Sequence, residues 1–258
     1  MNKSKILIGF IICVTIYVGI MLIAFRKQIF GKEENINIYF VLDNQKNYLY
    51  SDGYYSEISD NEIDNLDLKF DTYVNYEEFG NYRLQMGSVW NLFDKNDNYI
   101  MHDGYLFAVS DSKKANVEAI IPRSLTDEEK QMLKKDYKAS NLDNLMVEQV
   151  FDTDLDNDDK MDKLICVSYH EIGEDMKNYY NLVIAIIGNK KYNIIDEKGE
   201  KIDNIYMIRA IFRLDDESYQ SFVLQNITNP EGDIESYSAD DEIYRFDDGN
   251  YEVLMERK

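Results

Sequence analysis

From Asn35 onward, short runs of apolar, β-branched and aromatic residues are cut by Asp, Asn and Gly, the pattern of strands that pair with their neighbours in sequence. The run "NINIYFVLD" opens the series. "NYIMHDGYLFAVS" places Asp103-Gly104 between two such runs and predicts a tight hairpin; "EIYRFDDGNYEVLM" does the same with Asp248-Gly249, and "VIAIIGNKKYNIID" is a third. Hairpins join sequence neighbours, so the sheets should be mostly antiparallel. One stretch has a different period. In "SLTDEEKQMLKKDYKAS", Ser124 to Ser140, Thr126 and Glu129 make a capping box, acids lead, lysines trail, and Leu125, Met132, Leu133 and Tyr137 form one apolar side. The pattern predicts a mainly β fold (α+β) with one prominent helix. That helix separates a Tyr- and Asp-rich segment, residues 35–123, from a more regular β segment, residues 141–258; two subdomains and one continuous sheet both fit.

Ahead of the strands, "ILIGFIICVTIYVGIMLIAF", Ile6 to Phe25, has no charged residue. Twenty helical residues span roughly 30 Å, the thickness of a bilayer core. The run is longer than a secretory signal's apolar region and ends "LIAFRK" without a small-residue cleavage site. It reads as an uncleaved single-pass anchor, preceded by a tail (residues 1–5) and followed by a short linker (residues 26–34). Flanking charge does not orient it: Lys3, Lys5 and the α-amino group stand on one side, Arg26, Lys27 and Lys32 on the other.

Charge narrows the partners. All 49 acidic residues lie beyond residue 32, with 23 of the 28 basic ones, leaving about −26 on the tethered domain. Nucleic acid and anionic headgroups are repelled by such a surface, and cations are drawn to it. Cys13 falls in the anchor and Cys166 in a predicted buried strand, so no disulfide within the chain staples the domain. The 21 tyrosines suit half-buried strands, with the ring packed and the hydroxyl wet.

The acids concentrate in "FDTDLDNDDKMDKLICVSY", residues 151–169, where six aspartates fall within residues 152–162. Asp154, Asp156, Asp158 and Asp162 stand at offsets 1, 3, 5 and 9, with the Lys160 carbonyl at offset 7. A calcium ion takes six to eight oxygens at about 2.3–2.6 Å, and a curled loop can turn alternate side chains and one carbonyl inward to supply them. Lys160 and Lys163 would keep their side chains outside. Without a cation the carboxylates repel one another. A solvated acidic turn is the bland alternative.

The nine residues "DLDNDDKMD" resemble the DxDxDGxxD calcium loop of FG-GAP and VCBS-type repeats, found in integrin-like propellers and many bacterial surface proteins. The apolar flanks "MVEQVF" and "KLICVSY" suit a loop between two strands, and Ile165 stands where an EF-hand would offer a bidentate glutamate. The resemblance implies that Asp154, Asp156, Asp158 and Asp162 are side-chain ligands of a structural Ca2+. It departs at Asp159, where the family has glycine in a left-handed turn. "YMIRAIFRLDDESYQSFVLQNIT" echoes the arrangement, but Asp215, Asp216 and Glu217 lack the alternate spacing. Residues 35–140 show no matching repeat, so the expectation is an open or incomplete set of blades rather than a closed propeller.

A dissociation constant near 0.1 mM and free calcium near 1 mM would add about 1.4 kcal/mol of stability, whereas cytosolic calcium would leave such a loop empty. This places the domain outside the cell, as a structural or interaction module of a bacterial envelope whose partner is an envelope protein or polysaccharide. The alternative is an envelope carbohydrate-binding or glycoside-hydrolysing domain using a carboxylate pair, for which no particular pair stands out. "SYHEIGED" joins His170 to Glu171 without a second histidine four residues on, and His102 adjoins a predicted turn; neither marks a catalytic centre.

Overall fold

A computed structural model describes residues 37–43, 46–51, 54–170, 179–199, 204–214, 217–228, 238–247 and 249–253. The predicted anchor, residues 6–25, lies outside them. Among the described residues no helix is long and apolar enough to cross a membrane.

Three antiparallel sheets and two helices make up these residues. The first sheet holds β1 (Ile38–Leu42), β2 (Asn47–Ser51), β3 (Tyr54–Ile58), β4 (Phe70–Val74), β5 (Glu77–Met86), β6 (Trp90–Phe93), β7 (Tyr99–Ile100) and β8 (Leu106–Val109). Their order is β3-β2-β1-β8-β4-β5-β6-β7, with α1 (Asp60–Asp64) between β3 and β4 in the chain. β9 (Ala115–Val117) leaves this segment to pair with β14 (Asn204–Leu214) of the third sheet, and α2 (Asp127–Asp136) follows. The second sheet is a plain meander of β10 (Val147–Thr153), β11 (Asp162–His170), β12 (Tyr179–Ile187) and β13 (Lys190–Gly199). β14 (Asn204–Leu214), β15 (Ser221–Thr228), β16 (Ser238–Asp247) and β17 (Asn250–Val253) repeat that meander, extended by β9 on the β14 edge.

The continuous apolar runs of β11 and β12 follow from burial on both faces. On one face Val150, Ile165, Val167, Leu182 and Ile184 pack against Leu125 and Leu133 of the α2 region, with Tyr137 and Leu142. On the other, Phe151, Leu164, Cys166, Val183 and Ala185 pack against Ile208, Ile211, Phe222 and Leu224 of the third sheet. A polar tie crosses the same contact. Gln149 of β10 donates to the Tyr76 hydroxyl at 2.6 Å and accepts from the Ile208 amide at 2.9 Å, while Tyr76 donates to the Ile208 carbonyl at 2.7 Å.

The helix begins as expected: the Glu129 amide donates to the Thr126 hydroxyl at 3.3 Å and the Thr126 amide to the Glu129 carboxylate at 2.8 Å. It ends before Ser140 because Lys138 takes a left-handed φ of 55° after the Tyr137 cap. The hairpin through residues 188–189 forms as predicted, with Ile187 opposite Lys190, and β16 and β17 pair antiparallel with Asp247 opposite Asn250, although Asp248 of the predicted Asp248-Gly249 turn lies outside the described residues.

The Asp103-Gly104 hairpin does not form. Among the described residues β7 pairs only with β6, and β8, buried along its whole length, is a central strand between β1 and β4. A two-residue exposed strand cannot cover such a run. Gly104 instead answers a close approach, since a Cβ there would lie 2.0 Å from the side-chain nitrogen of Asn75, which is bonded across to Tyr105. Among the described residues no closed propeller forms.

Candidate metal centre

The loop of residues 154–161 closes the β10–β11 hairpin above the pair Thr153 and Asp162. Leu155 is its anchor: the side chain is fully buried between the second and third sheets. Its amide donates to Asp162 at 3.1 Å, and its carbonyl accepts from the Gln220 amide at 2.8 Å. The other Asp162 oxygen accepts at 2.8 Å from the amide of Gly188, in the β12–β13 turn. Asp162 is only 4% exposed, and these two donors hold its carboxylate in one orientation.

Asp154 organises the outer half of the loop by accepting from the amides of Asp158 at 3.1 Å and Asp159 at 2.9 Å. Asn157 and Asp159 take left-handed φ values of 63° and 64°. Asp159 therefore adopts the conformation for which the resembling repeats use glycine, at a cost that Asp bears better than most residues. Arg213 of β14 reaches across and donates to the Asp154 carbonyl and the Asn157 side chain. We expect Asp159→Gly to stabilise the domain by about 0.5–1 kcal/mol, with or without added calcium, in thermal melts; a lower melting temperature would show that the Asp159 side chain contributes more than its backbone costs.

One carboxylate oxygen from each of Asp154, Asp156 and Asp162 lies within 4.8 Å of the others. An oxygen of Asp156 is buried and has no hydrogen-bond partner among the described residues. Desolvation, then the charges of Asp158, Asp162 and Asp154, raise the Asp156 pKa above the usual carboxylate range. A divalent cation would relieve both the repulsion and the missing bond. Asp158 is not one of the three. Its carboxylate accepts from the Lys160 ammonium at 2.5 Å and the Lys160 amide at 2.9 Å, which hold its pKa down. The Lys160 side chain thus lies on the loop rather than clear of it. Lys163 does point away, to Glu129 at 2.6 Å.

The chain matches no family model, no curated protein and no solved structure. The likeness to calcium-loop repeats accordingly rests on residues 154–162 and on their setting between two antiparallel strands.

The remaining sequence candidates resolve as follows. Cys166 is buried, donates to the Tyr206 carbonyl at 3.2 Å, and has its pKa pushed up to about 12 by burial, so it is no nucleophile. His170 ends β11, while Glu171 lies outside the described residues. His102 sits in the β7–β8 connection with Nδ1 buried and unbonded. The second acidic stretch does occupy the place in its meander that the aspartate loop has in the first, between β14 and β15. Its Glu217 is already neutralised by Arg245 at 3.1 Å, and Asp215 and Asp216 lie outside the described residues.

Sequence reasoning missed the residues that hold the loop from outside it. Arg213, a charge within the buried strand run "AIFRL", is a signal that could have been read; Gln220 and Gly188 act through backbone amides and leave none.

Proposed function

We propose that the chain is a single-pass, membrane-anchored protein of a bacterial envelope whose acidic β domain stands outside the cell and is stabilised by calcium at the aspartate loop. The observation that carries this reading is the convergence of Asp154, Asp156 and Asp162 within 4.8 Å around a buried, unpartnered Asp156 oxygen. Asp162 and Asp154, each fixed by backbone amides, would serve as rigid ligands, with Asp156 between them and the Lys160 carbonyl closing the ring. Asp158 joins when the cation displaces the Lys160 ammonium from it. All donors are oxygens, the chemistry of a hard cation, and an adaptable eight-residue loop suits calcium better than the strict octahedron of magnesium.

The role is structural or interactive: the ion orders the loop, which in turn presents an exposed rim from Asn157 to Met161 to an envelope protein or a polysaccharide. The external address follows from the same ion, since a loop of millimolar to tens-of-micromolar affinity is filled only where calcium is abundant. Thermal unfolding of the full-length chain in mild detergent tests the reading. Calcium should raise the melting temperature by several degrees over EDTA, saturating between tens of micromolar and a few millimolar, and magnesium should do much less. An identical melt in EDTA, magnesium and calcium would reduce the aspartates to solvated surface.

A further inference from the structure

Among the described residues three acidic residues are almost wholly buried, and two of them are well served. Glu129 accepts from Arg123 and Lys163, and Asp162 from two backbone amides. Asp241, on β16 and 0% exposed, has neither kind of partner. Its Oδ2 accepts from the Tyr105 hydroxyl at 2.5 Å, and its Oδ1 has no hydrogen-bond partner among the described residues. The Arg209 guanidinium is engaged elsewhere. It donates to the Gln225 side-chain carbonyl at 2.9 and 2.5 Å and lies 4.9 Å over the Tyr105 ring, while Gln225 stands opposite Asp241 in the β15–β16 ladder. These groups sit where the first sheet meets the third. Phe40 of β1 and Phe107 of β8 pack on Phe212 of β14, with centroids 5.0 and 5.8 Å away, and Tyr105, just before β8, reaches Asp241 from the first-sheet side. Lys46 and Asp240 add an ion pair across the same junction, too exposed to contribute much.

A carboxylate buried on these terms is costly when charged, and parting the two sheets would return it to water. We propose that Asp241 and Tyr105 form a pH-sensitive joint between the first and third sheets, tightened when Asp241 takes up a proton in mildly acidic medium and loosened when it releases that proton. Ionisable groups act on Asp241 from each side of the joint: Tyr105 from the β7–β8 connection, Arg209 from β14, and Asp43 from the turn after β1, itself offset by His102 and Arg209. Tyr48 of β2 feels the Asp241 charge as well. Burial outweighs the pull of Tyr105, Gln225 and Arg209 and raises the Asp241 pKa to about 6 from the ordinary 3.8. The packed joint therefore holds its proton at pH values where an opened one has released it, so acidification favours packing. Between pH 7.5 and pH 5.0 this amounts to about 10-fold in the unfolding equilibrium. Glu129, with its depressed pKa, stays charged throughout that window. The joint is separate from the aspartate loop and needs no ion.

The test is urea unfolding of the full-length chain in mild detergent and EDTA at pH 5.0 and pH 7.5, comparing wild type, Asp241→Asn and Tyr105→Phe. Other carboxylates titrate alike in all three proteins, so the differences between them isolate the joint. Asparagine keeps the shape of the protonated carboxyl. The Asp241→Asn unfolding constant should therefore change about 10-fold less between the two pH values than that of wild type. Tyr105→Phe removes the hydroxyl that donates to the charged form, so its unfolding constant should change more than that of wild type. An Asp241→Asn pH dependence equal to wild type overturns the proposal, and so does an Asp241→Asn chain that fails to fold, because the neutral side chain should suit the packed joint. A Tyr105→Phe pH dependence equal to or smaller than wild type overturns it as well, by removing the first-sheet half of the joint.

Discussion

Asp156→Asn is expected to abolish the response to calcium while leaving stability in EDTA unchanged or higher. The signs differ because the same carboxylate is a liability without the cation and a ligand with it. In EDTA the Asp156 carboxylate carries a desolvated charge against Asp154 and Asp162, and the amide removes that repulsion without changing shape. At a calcium concentration 100 times the dissociation constant, wild type gains about 2.7 kcal/mol, which for a domain of this size is roughly 5–10 °C. The asparagine variant should gain almost nothing, so the two melting curves exchange order between EDTA and calcium. An ordinary structural aspartate would lose stability in both. The measurement is a pair of melts for each protein; a parallel downward shift of the variant would contradict the ligand role.

The second large effect lies at the base of the loop. Glu129 of α2 accepts from both terminal nitrogens of Arg123 at 2.8 Å, from Lys163 at 2.6 Å and from the Thr126 amide at 2.8 Å, with its side chain 7% exposed. Arg123 also donates to Asp152 at 2.5 Å, and Asp152 stands opposite Lys163 in the β10–β11 ladder, one pair below Asp162. The helix thereby clamps the hairpin from which the aspartate loop springs. Glu129→Ala removes the shared acceptor together with the Glu129 half of the capping box and should cost about 3 kcal/mol, or roughly 6–12 °C of melting temperature; the partial exposure of Arg123 and Lys163 keeps the figure at the low end for a buried pair. The Arg123 hydrogen bonds hold the Glu129 pKa far below the usual carboxylate value. A depressed pKa stabilises above the unfolded value and loses that stability as the pH falls. Wild type should therefore lose stability in acid from about pH 4.5 downward, and Glu129→Ala should lose less over that range while starting lower at neutral pH. Urea unfolding at pH 7 and pH 3 checks both; equal stability at pH 7 would remove the clamp from the account.

Much of this architecture is written locally, and the parts that are not fail for identifiable reasons. The capping box of Thr126 and Glu129, the hairpin at residues 188–189 and the pairing of β16 with β17 are set by residues close together in the chain, and they appear where their patterns place them. The Asp103-Gly104 pair misleads because the identity of β8 as a central strand depends on β1 and β4, which lie far away in sequence. The clustering of Asp154, Asp156 and Asp162 is legible because alternate positions in a curled loop face one way. Asp158 departs from the set because a lysine two residues on competes for it, and Arg213 arrives by packing of the third sheet, which no spacing announces.

The most direct measurement of the central claim is equilibrium binding of radioactive calcium to the full-length chain at neutral pH, with Asp156→Asn alongside. One calcium bound per chain with a dissociation constant between about 10 µM and 1 mM, and none bound by the variant, is the predicted result. No binding at 5 mM calcium, or equal binding by wild type and variant, would contradict the assignment of the aspartate loop as a calcium site.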